Sequence, residues 1–97
     1  MQRERALELA RGRLFSLRAL SGETLRRRAD ERLVEREEAG SGSVHCRIVV
    51  IRYGWTEIDG EPAVRVSVTV EDGGWPVLDE DEVTFVRALP PRGTDPT

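Results

Sequence analysis

The pair Asp59–Gly60 stands between "VHCRIVVIRYGWTEI" and "EPAVRVSVTVED", two stretches rich in β-branched and aromatic residues. Asp-Gly is a preferred dipeptide for a two-residue hairpin turn, because both central residues must adopt positive φ. With the turn at these residues, Trp55 faces Val64, Tyr53 faces Val66, Ile51 faces Val68 and Val49 faces Val70. All eight side chains then share one face, and Arg65, Ser67 and Thr69 share the other. A slip of one residue would expose the valine row, so turn chemistry and alternation agree on a single register.

The chain continues in the same style. "EDGGW" (71–75) predicts a second tight turn. "WPVL" is at best a short edge strand, since Pro76 lacks a ladder donor. After the acidic run "DEDE" (79–82), "VTFVRAL" (83–89) reads as a further strand. Before the hairpin the period changes. Ala6, Leu7, Leu9, Ala10, Leu14, Leu17 and Leu20 fall in one arc of a helical wheel, while Arg5, Glu8, Arg11, Ser16 and Arg18 fill the opposite side. Phe15 falls on the polar side. Ser21 is an expected N-cap, with Glu23 in the following turn. A second helix is therefore expected from Gly22 to Ala39, or one long helix bent at Ser21–Gly22.

These elements predict an α+β fold: an N-terminal helix or helical hairpin packed on an antiparallel β-meander of three or four strands. With 97 residues the chain suffices for one modest core. A single domain is expected over 1–89, helical in 1–39 and sheet in 44–89. "AGSGS" (39–43) forms the joint, and a disordered tail is expected over 90–97.

Charge is spread unevenly. Residues 1–39 hold ten arginines against eight acids, a balance of +2, whereas 40–97 hold five against ten, or −5. A net charge of −3 argues against a protein that coats nucleic acid or anionic membrane. The triplet Arg26–Arg27–Arg28 is interleaved with carboxylates at helical spacing, which marks a solvated face rather than a phosphate-binding one. The first helix keeps the nucleic-acid alternative open: Arg3, Arg5, Arg11, Arg13 and Arg18 are opposed there only by Glu4 and Glu8.

Catalytic chemistry is sparse. His45 and Cys46, each the single residue of its type, are neighbours on a predicted strand. Adjacent strand residues point to opposite faces, so they form no nucleophile–base pair. The "DEDE" run lacks the spacing and central glycine of a calcium loop. No catalytic, cofactor-binding or metal-ligating residue is assigned, and no cofactor is expected. A lone cysteine fits a reducing cytoplasm. The opening "MQRERALELARGR" lacks the apolar core of a secretory leader, and no apolar run is long enough for a membrane helix.

One pattern points outward. "RIVVIR" contains four consecutive apolar residues, so the face opposite the valine row carries Val44, Cys46, Ile48 and Val50. A strand with one wet face should alternate. Either the second half of the helical segment covers this face, or a partner does, with Phe15 as a further exposed contact. The leading expectation is thus a small non-catalytic protein-interaction module (an adaptor, inhibitor or accessory protein), with a protein partner that includes itself as a homodimer. The alternatives are a nucleic-acid-binding protein using the arginine-rich first helix and, behind that, a small enzyme or ligand-binding domain.

Overall fold

The computed structural model of the chain describes residues 3–38 and 47–89. Two helices, α1 (Arg3–Leu17) and α2 (Gly22–Asp30), pack on one face of an antiparallel sheet. Its five strands are β1 (Val34–Glu38), β2 (Arg47–Ile58), β3 (Glu61–Asp72), β4 (Trp75–Pro76) and β5 (Thr84–Ala88). The fold is α+β, as the alternation and the helical arc predict. The joint at 39–43 and the tail at 90–97 lie outside the described residues.

The hairpin has the expected register. Trp55 pairs with Val64, Tyr53 with Val66, Ile51 with Val68 and Val49 with Val70. Asp59 and Gly60 adopt φ of 51° and 82°, the left-handed values that a type I′ turn requires. Val64, Val66, Val68 and Val70 are fully buried against Ala6, Ala10, Leu14 and Leu17 of α1 and Leu25 and Ala29 of α2. The small alanines let α1 lie close to β3. Burial of each valine is worth about 1.5–3 kcal/mol. Leu7, Leu9 and Leu20 pack at the margin of this core.

The outer edge of β3 is shared by two later segments. β4 pairs with it at Glu71–Asp72 and β5 at Ala63–Ser67. Between them Val77 donates its N–H to the Val70 carbonyl (2.8 Å), and Val68 donates to the Val83 carbonyl (2.9 Å). Leu78 and Val83 enter the core at either end of this crossing.

One expectation is corrected: the second helix does not reach Ala39. It ends at Asp30, and residues 34–38 form edge strand β1, paired with β2 from Val34–Arg52 to Glu38–Ile48. The stop is a Schellman arrangement, in which Arg32 donates to the Ala29 carbonyl and Leu33 to the Arg28 carbonyl, both at 3.0 Å. Arg32 occupies the left-handed position, φ 50°, that a glycine usually marks. Without that glycine the stop is hidden in the sequence. The start is as expected, with the Ser21 hydroxyl accepting the Thr24 N–H at 3.2 Å.

Trp55, whose place on the apolar face suggests a core position, departs from the rest of its row. Its partner Val64 is buried, but Trp55 itself lies at the rim, 42% exposed, with its indole N–H donated to Asp30 at 2.8 Å. The hairpin extends past the end of α2 there, so the ring covers the helix terminus instead of entering the core. Two substitutions test this account by chemical denaturation. Val66→Asp, which buries an unpaired carboxylate under α1, should abolish cooperative unfolding. Arg32→Gly, which relieves the left-handed backbone, should raise stability by about 0.5–1 kcal/mol.

Candidate functional site

The two faces of the sheet are covered in different ways. Opposite the helices, Val50 is fully buried and Ile48 half-buried, so Val50 offers no surface to a partner. Its cover is explained by register. Arg36 on β1 stands opposite Val50, and Glu71 on β3 stands opposite Ile48. The Arg36–Glu71 ion pair, 3.0 Å long, therefore crosses over β2 above these side chains. Such a crossing lets an arginine stem lie along apolar side chains while its head stays paired at the surface. Further along this face Arg52 approaches Glu80 at 3.9 Å and Arg65 pairs with Asp81, so the acidic turn folds back over Ser67 and Thr69, both buried. Neither a helix nor a second copy is needed over Val50. Val44, His45 and Cys46 lie outside the described residues.

The acidic run at 79–82 is an exposed turn and a hub of ion pairs. Besides Glu80 and Asp81, Glu82 pairs with Arg3 of α1 and accepts the Asp79 N–H at 3.3 Å. Among the described residues no cluster of three or more His, Cys, Asp or Glu is placed to hold a metal ion. No helix among them is long and apolar enough to cross a membrane.

The arginines of α1, and Arg18 just after it, are mostly engaged within the chain. Arg3 pairs with Glu82, Arg5 with Glu8 at 3.4 Å, and Arg13 with Glu37 of β1 at 2.6 Å. Arg18 lies over the Phe85 ring, 5.8 Å from its centre. Arg11 remains exposed on the rim of a groove. In the triplet, Arg26 approaches Glu23 at 3.7 Å and Arg28 pairs with Glu35 at 3.1 Å, leaving Arg27 pointing outward.

Among the described residues β5 presents an outer edge that no strand meets. Val68 bonds Val83, and Leu89 donates to the Pro62 carbonyl at 3.0 Å. In an antiparallel ladder the bonding direction alternates, so Val83, Phe85, Arg87 and Leu89 turn their backbone groups toward β3. Thr84, Val86 and Ala88 turn theirs outward, where no strand among the described residues meets them. Exposed apolar surface flanks this edge on both sides. Val86 is 42% exposed on the sheet face away from the helices, and Phe15 is 79% exposed on α1. Phe15, Leu14, Arg11, Arg18, Glu82, Val83 and Thr84 line a groove of about 350 Å³ beside the strand. Arg87 fixes the helix end above it, donating to the carbonyls of Leu20 (2.8 Å) and Arg18.

The opposite edge differs. β1 reads Val-Glu-Arg-Glu-Glu, with Glu35 and Glu37 drawn to Arg28 and Arg13 on the helix side and Arg36 and Glu38 on the other. Charged side chains on an edge strand discourage pairing with another chain. β5 has neither a proline nor an acid. Of the residues expected to form an interface, Phe15 belongs to this edge; Ile48 and Val50 lie on the other face of the sheet and do not join it. Sequence reasoning missed Val86 and the outward backbone of β5, whose signal was the apolar alternation of "VTFVRAL" itself.

Tyr53 ties α2 to the sheet. Its hydroxyl oxygen accepts from Arg28 at 2.6 Å, and the Arg28 guanidinium lies over its ring, 5.3 Å from the centre. Burial raises the phenol pKa above its ordinary value; the Arg28 hydrogen bond opposes this, and Glu35 reinforces it. A raised folded-state pKa means that this contribution to stability is intact below the unfolded value, about 10, and is lost as pH rises through the folded one. Tyr53 is the single tyrosine of the chain, so ultraviolet titration reads it directly. Its midpoint should lie above that of the unfolded chain, and Tyr53→Phe should cost about 1 kcal/mol at neutral pH.

Comparison of the chain with protein-family models, with curated proteins and with solved structures found no significant match.

Proposed function

We propose that the chain is a small non-catalytic protein-interaction module that binds by accepting a strand along β5. The observation that carries this reading is the edge itself: outward backbone at Thr84, Val86 and Ala88 that no strand among the described residues meets, with Phe15 exposed on one side and Val86 on the other. Strand addition of this kind draws affinity from main-chain hydrogen bonds and specificity from side-chain pockets. The groove at Phe15 supplies such a pocket. The contrast with the charged β1 edge supports the choice, since a chain that guards one edge and leaves the other open presents a single direction for pairing.

The non-catalytic character rests on how the polar groups are used. The carboxylates at Glu80, Asp81 and Glu82 serve arginines of the same chain, as do Glu35, Glu37 and Glu71. None of these forms a pair of carboxylates facing an open cavity, as general acid–base work needs. The lone cysteine fits a cytoplasmic setting. Nucleic-acid binding through α1 is a weaker reading, because Arg3, Arg5 and Arg13 are already paired with acids.

Val86→Pro tests the proposal. It removes an outward N–H that β3 does not use, so the sheet should survive, as far-ultraviolet circular dichroism would show. Tagged wild-type chain expressed in its host should retain a protein, whether another chain or a differently tagged copy, that the variant loses. Identical retained sets for the two would show that β5 is not the site.

A further inference from the structure

Resting on that reading of β5, we infer that the strand it accepts is β5 of a second copy, antiparallel about a two-fold axis at Val86. The outward backbone groups limit the registers. Thr84, Val86 and Ala88 must face outward residues of the partner strand, or the hydrogen bonds of the ladder are not made. Pairing Val86 with Val86 of the partner subunit uses all three outward residues of both strands. Shifting so that Val86 meets the partner's Ala88 brings Arg87 against the partner's Arg87, a like-charge pair directly opposite, which destabilises a sheet. Shifting the other way leaves Ala88 beyond the paired region.

In the register centred on Val86, Arg87 stands opposite the partner's Phe85. Arg87 already lies over its own Phe85 ring at 5.8 Å, so the cross-strand contact repeats a cation–π interaction the chain makes by itself. On the other face, Val86 meets the partner's Val86, and Thr84 meets the partner's Ala88. These are small uncharged pairs, and they cover the exposed surface of Val86.

Spacing accounts for Phe15. Neighbouring strands lie about 4.8 Å apart, so β3, β5 and their two counterparts set the β3 strands roughly 14 Å from each other. α1 packs over β3, whereas helices in direct contact stand about 8–10 Å apart. The two α1 helices would therefore leave a gap above the paired β5 strands, and Phe15, 79% exposed, lies beside that strand to fill it from each copy. Pairing through β5 consumes that edge of both copies and leaves outside, among the described residues, the charged β1 edges and the two-residue β4, whose Pro76 lacks a donor. Such an assembly closes as a dimer with a ten-stranded sheet and does not grow into a filament. Arg11 and Arg18 outnumber Glu82, which Arg3 already holds, along the groove in each copy, so the dimer should tighten as salt screens the two arginines.

Sedimentation velocity on the full chain over a concentration series, at low and high salt, decides the matter. The wild type should be a dimer that strengthens with salt. Val86→Pro and Val86→Lys should be monomers with unchanged circular dichroism, and Ile48→Glu should remain a dimer. Because Val86 is exposed, the lysine variant keeps the test valid if the proline variant fails to fold. A monomeric wild type overturns self-pairing but leaves the β5 edge to be judged by host capture. A dimer that weakens with salt overturns self-pairing in the same way. A dimer that survives both Val86 substitutions overturns self-pairing and the β5 edge together.

Discussion

The antiparallel pair of β2 and β3, closed by Asp59 and Gly60, sets Val64, Val66, Val68 and Val70 opposite Trp55, Tyr53, Ile51 and Val49. Every other element attaches to this pair. α1 and α2 lie on its apolar face, β1 takes the free edge of β2, and β4 and β5 divide the free edge of β3. The dependence is physical. A change of one residue in the register would turn the valine row away from the helices and remove the surface they bury. The same register decides which residues meet on the far face, and so why Arg36 and Glu71 can close over Val50.

A chain this small has little apolar material beyond that row, and charge does much of the remaining joining. Arg13 and Arg28 hold β1 to α1 and α2, Arg3 holds the acidic turn to α1, and Arg52 and Arg65 hold the same turn to the sheet. Pairs as exposed as Arg13–Glu37 contribute at most about 1 kcal/mol each. Their role is to orient: they fix where a charged strand and an acidic turn lie against a core that would accept several placements. Arg28 does more than this, since it joins Glu35, the Tyr53 hydroxyl and the Tyr53 ring at one point.

The hairpin and the buried arc of α1 were legible because each carries two signals that agree. Asp59–Gly60 agrees with the alternation around it, and Ala6, Ala10, Leu14 and Leu17 agree with helical spacing. β1 was not legible. Its glutamates and arginines sit at distances that suit helix neighbours equally well, but they bond across elements, and the helix stop at Arg32 lacks the glycine that would announce it. Trp55 misled for another reason: its face was read correctly, but where the helices end over the sheet is a tertiary matter that alternation does not encode. The surplus of apolar residues at Ile48 and Val50 was real, and the ion pair that register carries across them joins residues far apart in sequence. Phe15 was visible as an oddity on the polar side of α1, yet only the placement of β5 beside it gives the exposure a setting.

The central claim is that β5 presents an unpaired edge to another strand of its own kind. Amide hydrogen exchange, resolved residue by residue at low and high protein concentration, tests it most directly. At low concentration Phe85 and Arg87 should be protected by β3, while Thr84, Val86 and Ala88 between them exchange fast. At high concentration those three should become protected as well. Protection of all five at the lowest concentration would show that the chain covers the edge by itself, and fast exchange of the three at every concentration would show that no second copy pairs there. Either result contradicts the account.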